Sequence, residues 1–225
     1  MRYNGGKQRI ARKLAAIIQQ TSPKVYWEPF CGMASVALHI QAPIKYVSDA
    51  DAAVIAVLQA AIEGFQFPST FSEEEYQAAR HLPASNPLHG FAKYGCSFAG
   101  KPWGGYARSS GRNYAANASS SLRRYCGRYD LTCLLGDYRT LSLEHPPDVI
   151  YCDPPYLGTT SVGASSKFDT EAFWSWAELR LTTAEVFVSE YQAPKGWQEL
   201  FAEPITDGLV PRNRQNVERL FRRVL

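Results

Sequence analysis

A chain of 225 residues is long enough for one full domain core and a small insertion, and too short for two large domains. Hydrophobic residues make up 45% and charged residues 20%, the balance of an ordinary globular protein, and a net charge of +3 does not by itself announce a nucleic-acid partner. Five cysteines without a C-x-x-C pair argue against a disulfide framework or a zinc site, and four scattered histidines suggest no other metal.

In chain order, Met1 to Lys7 leads straight into a charged helical pattern, with no secretory signal. Val25–Phe30 reads as a strand and Ala34–Ile40 as a helix. Lys45–Asp49 is a strand and Ala52–Glu63 a helix, too short and too polar at Gln59 to span a bilayer. Leu131–Leu135, Val149–Cys152 and Val186–Ser189 read as buried strands, with a helix over Thr170–Leu181. Strands alternating with helices predict an α/β fold, a mostly parallel sheet covered on both faces. Ligands on such sheets bind at the carboxyl ends of the strands. The expected compartment is a reducing cytoplasm.

The middle of the chain breaks this rhythm. Residues 64–128 are expected to form an insertion in a domain built from 1–63 and 129–225. Within 91–128 there are seven Lys or Arg residues (Lys93, Lys101, Arg108, Arg112, Arg123, Arg124, Arg128) and no Asp or Glu. Interleaved with them are Phe91, Tyr94, Phe98, Trp103, Tyr106, Tyr114 and Tyr125. That composition suits a nucleic-acid contact surface. It equally suits a solvated region with a small aromatic core of its own.

Asp153-Pro154-Pro155-Tyr156 follows the Val149–Cys152 strand and carries the most information. From average residue usage the tetrapeptide should arise by chance on the order of once in a thousand chains of this size. Its residue types suit an exocyclic adenine amine, a poor nucleophile because its lone pair is delocalised into the ring. The Asp153 carboxylate and the Pro154 carbonyl can accept both N–H bonds, in a turn that the prolines stiffen. Tyr156 offers a flat face for a flipped base. Asp153 need not act as a strong base, because an acid of pKa about 3.9 cannot strip a neutral amine. No Pro-Cys dipeptide occurs, so a cysteine nucleophile of the kind used on cytosine C5 is not indicated. Glu28-Pro29-Phe30-Cys31-Gly32-Met33-Ala34 follows the first strand as a small-residue turn that opens the first helix, where a cofactor can approach the backbone. Asp49 ends the second strand and can bond ribose hydroxyls. It can equally cap the helix that follows, and Asp51 competes for either role. Tyr3-Asn4-Gly5-Gly6-Lys7 adds an aromatic, a Gly-Gly turn and a cation.

Taken in this order, the motifs resemble the Dam-type (alpha-group) DNA adenine-N6 methyltransferases of bacteria and phages. The resemblance covers nearly the whole chain, through Phe-Ala-Gly-Lys-Pro-Trp-Gly-Gly-Tyr-Ala-Arg at 98–108, Gly-Asp-Tyr at 136–138, Val-Ser-Glu-Tyr at 188–191 and Glu-Arg-Leu-Phe at 218–221. It implies a Rossmann-like sheet of about seven strands with a target-recognition insertion at 64–128. It also implies S-adenosylmethionine as cofactor and double-stranded DNA as partner, in a bacterium or phage-infected cell, with no membrane or metal. A monomer or weak dimer is expected. Carried over, Tyr3, Lys7, Phe30, Gly32, Asp49, Asp137 and Asp153 contact the cofactor, with Asp49 on its ribose. Asp153, Pro154, Pro155 and Tyr156 serve the reaction, a direct in-line transfer to a flipped adenine. Lys101, Arg108, Arg112, Arg123 and Arg124 lead the DNA contacts. The 157–167 stretch either orders over the base or is a plain loop. Arg212, Arg214, Arg219, Arg222 and Arg223 either extend the basic track or keep the tail soluble.

The sequence departs from the family at Ala34, where a second glycine is common, at Tyr3, where Trp is common, and in its short insertion. The family's usual target, GATC, is therefore not assumed, and cofactor binding is expected to survive Ala34, intact or weakened. Rival readings are an amino-methyltransferase acting on cytosine-N4, RNA or protein, and a non-catalytic DNA-binding protein on the same scaffold.

Overall fold

The computed structural model describes residues 1, 6–156, 168–205 and 216–223. Its centre is a seven-stranded sheet: β1 (Val25–Glu28), β2 (Ile44–Asp49), β3 (Leu131–Leu135), β4 (Val149–Cys152), β5 (Glu185–Ser189), β6 (Trp197–Ile205) and β7 (Asn216–Arg223). The spatial order is β3-β2-β1-β4-β5-β7-β6. The first five strands are parallel, and β7 runs antiparallel between β5 and β6. This is the α/β, Rossmann-like architecture expected from the sequence. The chain builds outward from β1 to β3 on one side, then returns to β4 beside β1. The switch point therefore lies between β1 and β4, where open α/β sheets hold their ligands.

Alternation along the strands divides the core in two. Tyr26, Val47, Val149, Tyr151 and Phe187 enter one hydrophobic layer with α1 (Ala11–Ile18) and α2 (Ala52–Ile62). Trp27, Tyr46, Ile150, Cys152, Val186 and Val188 enter the other, with Phe173, Trp176 and Ala177 of the helix Thr170–Arg180. No helix among the described residues is long and apolar enough to cross a membrane.

Between α2 and β3 lie α3 (Glu73–Ala79), α4 (Pro87–Gly90), a π-helical turn (Phe91–Gly95) and α5 (Tyr114–Leu122), so the Thr170–Arg180 helix is α6. A Ser72–Glu75 capping box starts α3. This segment is not a separate globule: Phe67, Phe71, Tyr76 and Phe91 pack in the same layer as α1 and α2. α4 lies so close to α2 that a Cβ at Gly90 would sit 2.3 Å from the Ala53 carbonyl oxygen.

The sequence-expected helix at Ala34–Ile40 is absent. Residues 32–36 form turns, followed by a single 3-10 turn at Ala37–His39. Gly32 (φ 46°) and Ala34 (φ 45°) both take left-handed conformations, which break a helical start. The turn after β1 therefore does not open a helix.

Candidate active site

The carboxyl edge of the parallel strands gathers residues from distant parts of the sequence. Gly32 follows β1, Asp49 ends β2, Asp137 follows β3 and Asp153 follows β4. Asp49 is tied into the turn after β1: its Oδ2 accepts the Gly32 N–H at 3.0 Å and its Oδ1 accepts the Asp51 N–H at 2.9 Å. Asp51, not Asp49, caps α2, accepting the Ala53 N–H at 2.9 Å. Burial pushes the Asp49 carboxyl up to about 6, against the pull of those two N–H donors. Each of its oxygens keeps further lone-pair capacity, which suits a pair of vicinal hydroxyls.

Asp51 also receives Lys93 Nζ at 2.6 Å and the Tyr94 hydroxyl, both from the π-helical turn. Burial works against the ionised carboxyl, but these two donors outweigh it and hold its pKa below the usual range. The end of β2 is thus bonded directly to the 64–128 segment. A π-helical turn at such a junction is a frequent companion of functional sites.

Asp153 lies in a compact polar cluster. Lys7 Nζ is 2.7 Å from its Oδ1 and 3.5 Å from Glu218 Oε2. The Tyr156 hydroxyl donates to the same Glu218 oxygen at 2.5 Å. Lys7 Nζ stands 4.6 Å from the Tyr156 ring centroid, and the ring meets Tyr191 edge-on at 4.6 Å. Burial pushes the Asp153 carboxyl up to about 6; Lys7 opposes the rise and Glu218 adds to it. Burial would lower the Lys7 pKa, but Asp153 and Glu218 together raise it. Beneath them Glu28, wholly buried, accepts the Tyr26 hydroxyl at 3.1 Å and the Ala37 N–H at 3.0 Å, and burial lifts it to about 8.

The chain has counterparts among known proteins. The chain matches the D12 class N6 adenine-specific DNA methyltransferase family over residues 3–87 and 76–197. It belongs to that family. The enzyme is therefore an adenine-specific DNA methyltransferase, with S-adenosylmethionine as its methyl donor. Solved structures similar to it include the rRNA methyltransferase AviRa from Streptomyces viridochromogenes, at 17% identity and a TM-score of 0.42, with 94% of this chain and 84% of that one covered. Another is magnesium protoporphyrin IX methyltransferase from Synechocystis, at 12% identity and a TM-score of 0.40, with 96% of this chain and 79% of that one covered. No curated protein matches the enzyme in sequence.

Of the residues singled out by sequence, Lys7, Asp153 and Tyr156 come together in one cluster, and Gly32 pairs with Asp49. Pro154 is buried and Pro155 exposed. Phe30 packs its ring on Tyr138, Phe168 and Phe173, with centroids 4.7–5.8 Å away. Asp137 is engaged by Arg139, whose Nε donates at 2.9 Å. Tyr3, the 157–167 stretch, Arg212 and Arg214 lie outside the described residues.

In the insertion, Lys101, Arg108, Arg112, Arg123 and Arg124 are all exposed, but Arg108 is paired with Glu73. An acid from α3 thus enters a stretch that looks purely cationic in sequence. Phe91, Tyr94 and Tyr125 are buried, and Tyr76 packs on Trp103 and Tyr106 at 5.4 and 5.7 Å. Phe98, 53% exposed, is the large hydrophobic of this stretch that faces solvent. Most of these aromatics are therefore spent on packing. Arg219, Arg222 and Arg223 lie on β7 and pair with Glu199, Glu185 and Glu178, so they are not a loose basic tail. Glu218 was missed as a site residue; its only signal was a four-residue motif of low specificity.

Proposed function

We propose that the Asp153–Tyr156 turn is the catalytic centre, and that the enzyme methylates N6 of a flipped adenine within a specific double-stranded DNA sequence. One observation carries this reading: a carboxylate at the end of β4, beside the switch point, is held in a buried Lys7–Glu218–Tyr156 cluster. In this reading Asp49, Gly32 and the turn after β1 hold the cofactor's ribose and chain. When bound, S-adenosylmethionine supplies an electrophilic methyl group on a cationic sulfur. Asp153 accepts one N–H of the target amine and the Pro154 carbonyl accepts the other, which favours a tetrahedral nitrogen with an available lone pair. Tyr156 stacks on the extruded base. After transfer the nitrogen is cationic and its proton is easily lost. The cluster of one lysine and two carboxylates is formally anionic by one charge, a field that favours a cation in its neighbourhood.

The exposed Lys101, Arg112, Arg123 and Arg124 are assigned to the DNA backbone, with 64–128 as the recognition segment. The test is to incubate the enzyme and Asp153→Ala with S-adenosylmethionine and unmethylated genomic DNA, then quantify nucleosides by mass spectrometry. N6-methyladenine from the wild type alone supports the reading. N6-methyladenine from both proteins removes Asp153 from the mechanism, and N4-methylcytosine overturns the choice of base.

A further inference from the structure

Glu218 arrives at the site from β7, more than two hundred residues after Lys7, and does two things at once. Its Oε2 accepts the Tyr156 hydroxyl at 2.5 Å and stands 3.5 Å from the Lys7 ammonium. Its side chain is 12% exposed and that of Lys7 5%. An incoming amine shares the Asp153 carboxylate with the Lys7 ammonium, which stands 2.7 Å from its Oδ1 and competes for its charge. A buried ammonium deprived of its counter-ion is strongly unfavourable. A second carboxylate within reach removes that obstacle. The bond to Tyr156 also restrains the ring, which packs against Tyr191 at a steep angle with centroids 4.6 Å apart.

Resting on the reading of the Asp153 turn as the amine acceptor, we propose that Glu218 is a positioning residue for methyl transfer. It holds the Tyr156 ring and takes over the Lys7 ammonium as Asp153 receives the target amine. Its effect is exerted through Tyr156, Lys7 and Asp153, not by contact with the reacting atoms.

The experiment compares Glu218→Gln, Glu218→Asp, Tyr156→Phe and the Glu218→Gln/Tyr156→Phe double variant, with Asp153→Ala as control. Gln keeps the size and one acceptor oxygen but removes the charge. The readouts are kcat, KM for DNA, cofactor affinity by calorimetry, thermal stability and the pH dependence of kcat. Glu218→Gln is expected to lower kcat at least about tenfold while cofactor affinity stays within about threefold, the pattern of a lost transition-state interaction. The groups facing Asp153 are Lys7, Glu218, Tyr156, Tyr151, Cys152 and Glu28. Removing the Glu218 charge takes one like charge from Asp153, so the acid limb of kcat moves to lower pH. Glu218→Asp, which keeps the charge, restores the limb without restoring kcat. The double variant falls short of the product of the singles, because one weakens and the other removes the same contact between residue 218 and residue 156. Wild-type kcat with an unmoved limb in Glu218→Gln overturns the proposal. If that variant does not fold, Tyr156→Phe decides: wild-type kcat there shows that the bond to Glu218 positions nothing. Full turnover in Asp153→Ala would instead sink the underlying reading of the turn, whatever Glu218 does.

Discussion

Asp153 accepts an amine N–H most strongly when ionised, and burial pushes its carboxyl up to about 6 from the usual 3.8. The charge-assisted bond is therefore lost as pH falls through about 6, two decades earlier than for a solvated aspartate. Single-turnover methylation rates between pH 5 and 9 should show one acidic limb near 6. A rate flat down to pH 4.5 would contradict the assignment. Ala34 offers a second test at the same scale. Its φ of 45° is a conformation that costs an L-residue roughly 1 kcal/mol, and its side chain is fully buried in the α1–α2 layer. Ala34→Gly should change stability in urea unfolding by less than about 1 kcal/mol, because the relief of left-handed strain is offset by the greater chain entropy of glycine and the lost burial of a methyl group. Cofactor affinity should not change, because the methyl group packs into the core.

At the scale of elements, Asp51 binds three structures together: it caps α2, supports Asp49 through its own N–H, and anchors the π-helical turn through Lys93 and Tyr94. Asp51→Ala should cost about 2–4 kcal/mol, the sum of a lost cap and two charge-assisted bonds at a half-buried site. It should also speed limited proteolysis within 64–128; an unchanged cleavage pattern would show that the tie does not hold the segment. The parallel strands were legible to within two residues because each is a short apolar run ending in a turn. The turn after β1 was not legible as non-helical, because nothing in Met33–Ile40 announces a left-handed Ala34. β6 and β7 were invisible for another reason. The β7 arginines suited either a basic track or a soluble tail, and only cross-strand pairing supplies the acids that neutralise Arg219 and Arg222. The site divided in the same way. Asp153, Tyr156, Asp49 and Gly32 stand in compact motifs at strand ends, whereas Glu218 owes its place to the position of β7 between β5 and β6.

For the whole molecule, the distribution of charge matters more than the total of +3. Lys93 is committed to Asp51 and Arg108 to Glu73, which leaves Lys101, Arg112, Arg123 and Arg124 as the exposed cations assigned to phosphate. Replacing any one of these four by Ala should weaken binding to all sequences alike and lower the slope of log K against log salt by about 1. Glu73→Gln, which releases Arg108, should steepen that slope. Fluorescence anisotropy across a salt series measures both, and a slope indifferent to all five changes would move the DNA surface elsewhere. The sheet order has a consequence for the life of the chain on the ribosome. Strand β5 is made before either of the strands that lie beyond it, yet its outer edge is covered only by β7, the later of the two. While β6 is being synthesised it has no place in the sheet, and the flank of β5 stays open to any other extended strand. The nascent enzyme thus emerges with an adhesive edge until β7 slides into the gap, and the same stroke delivers Glu218 to Lys7. Closing the sheet and completing the polar cluster are one event, so a chain stalled or cut before β7 would be both inactive and prone to aggregate.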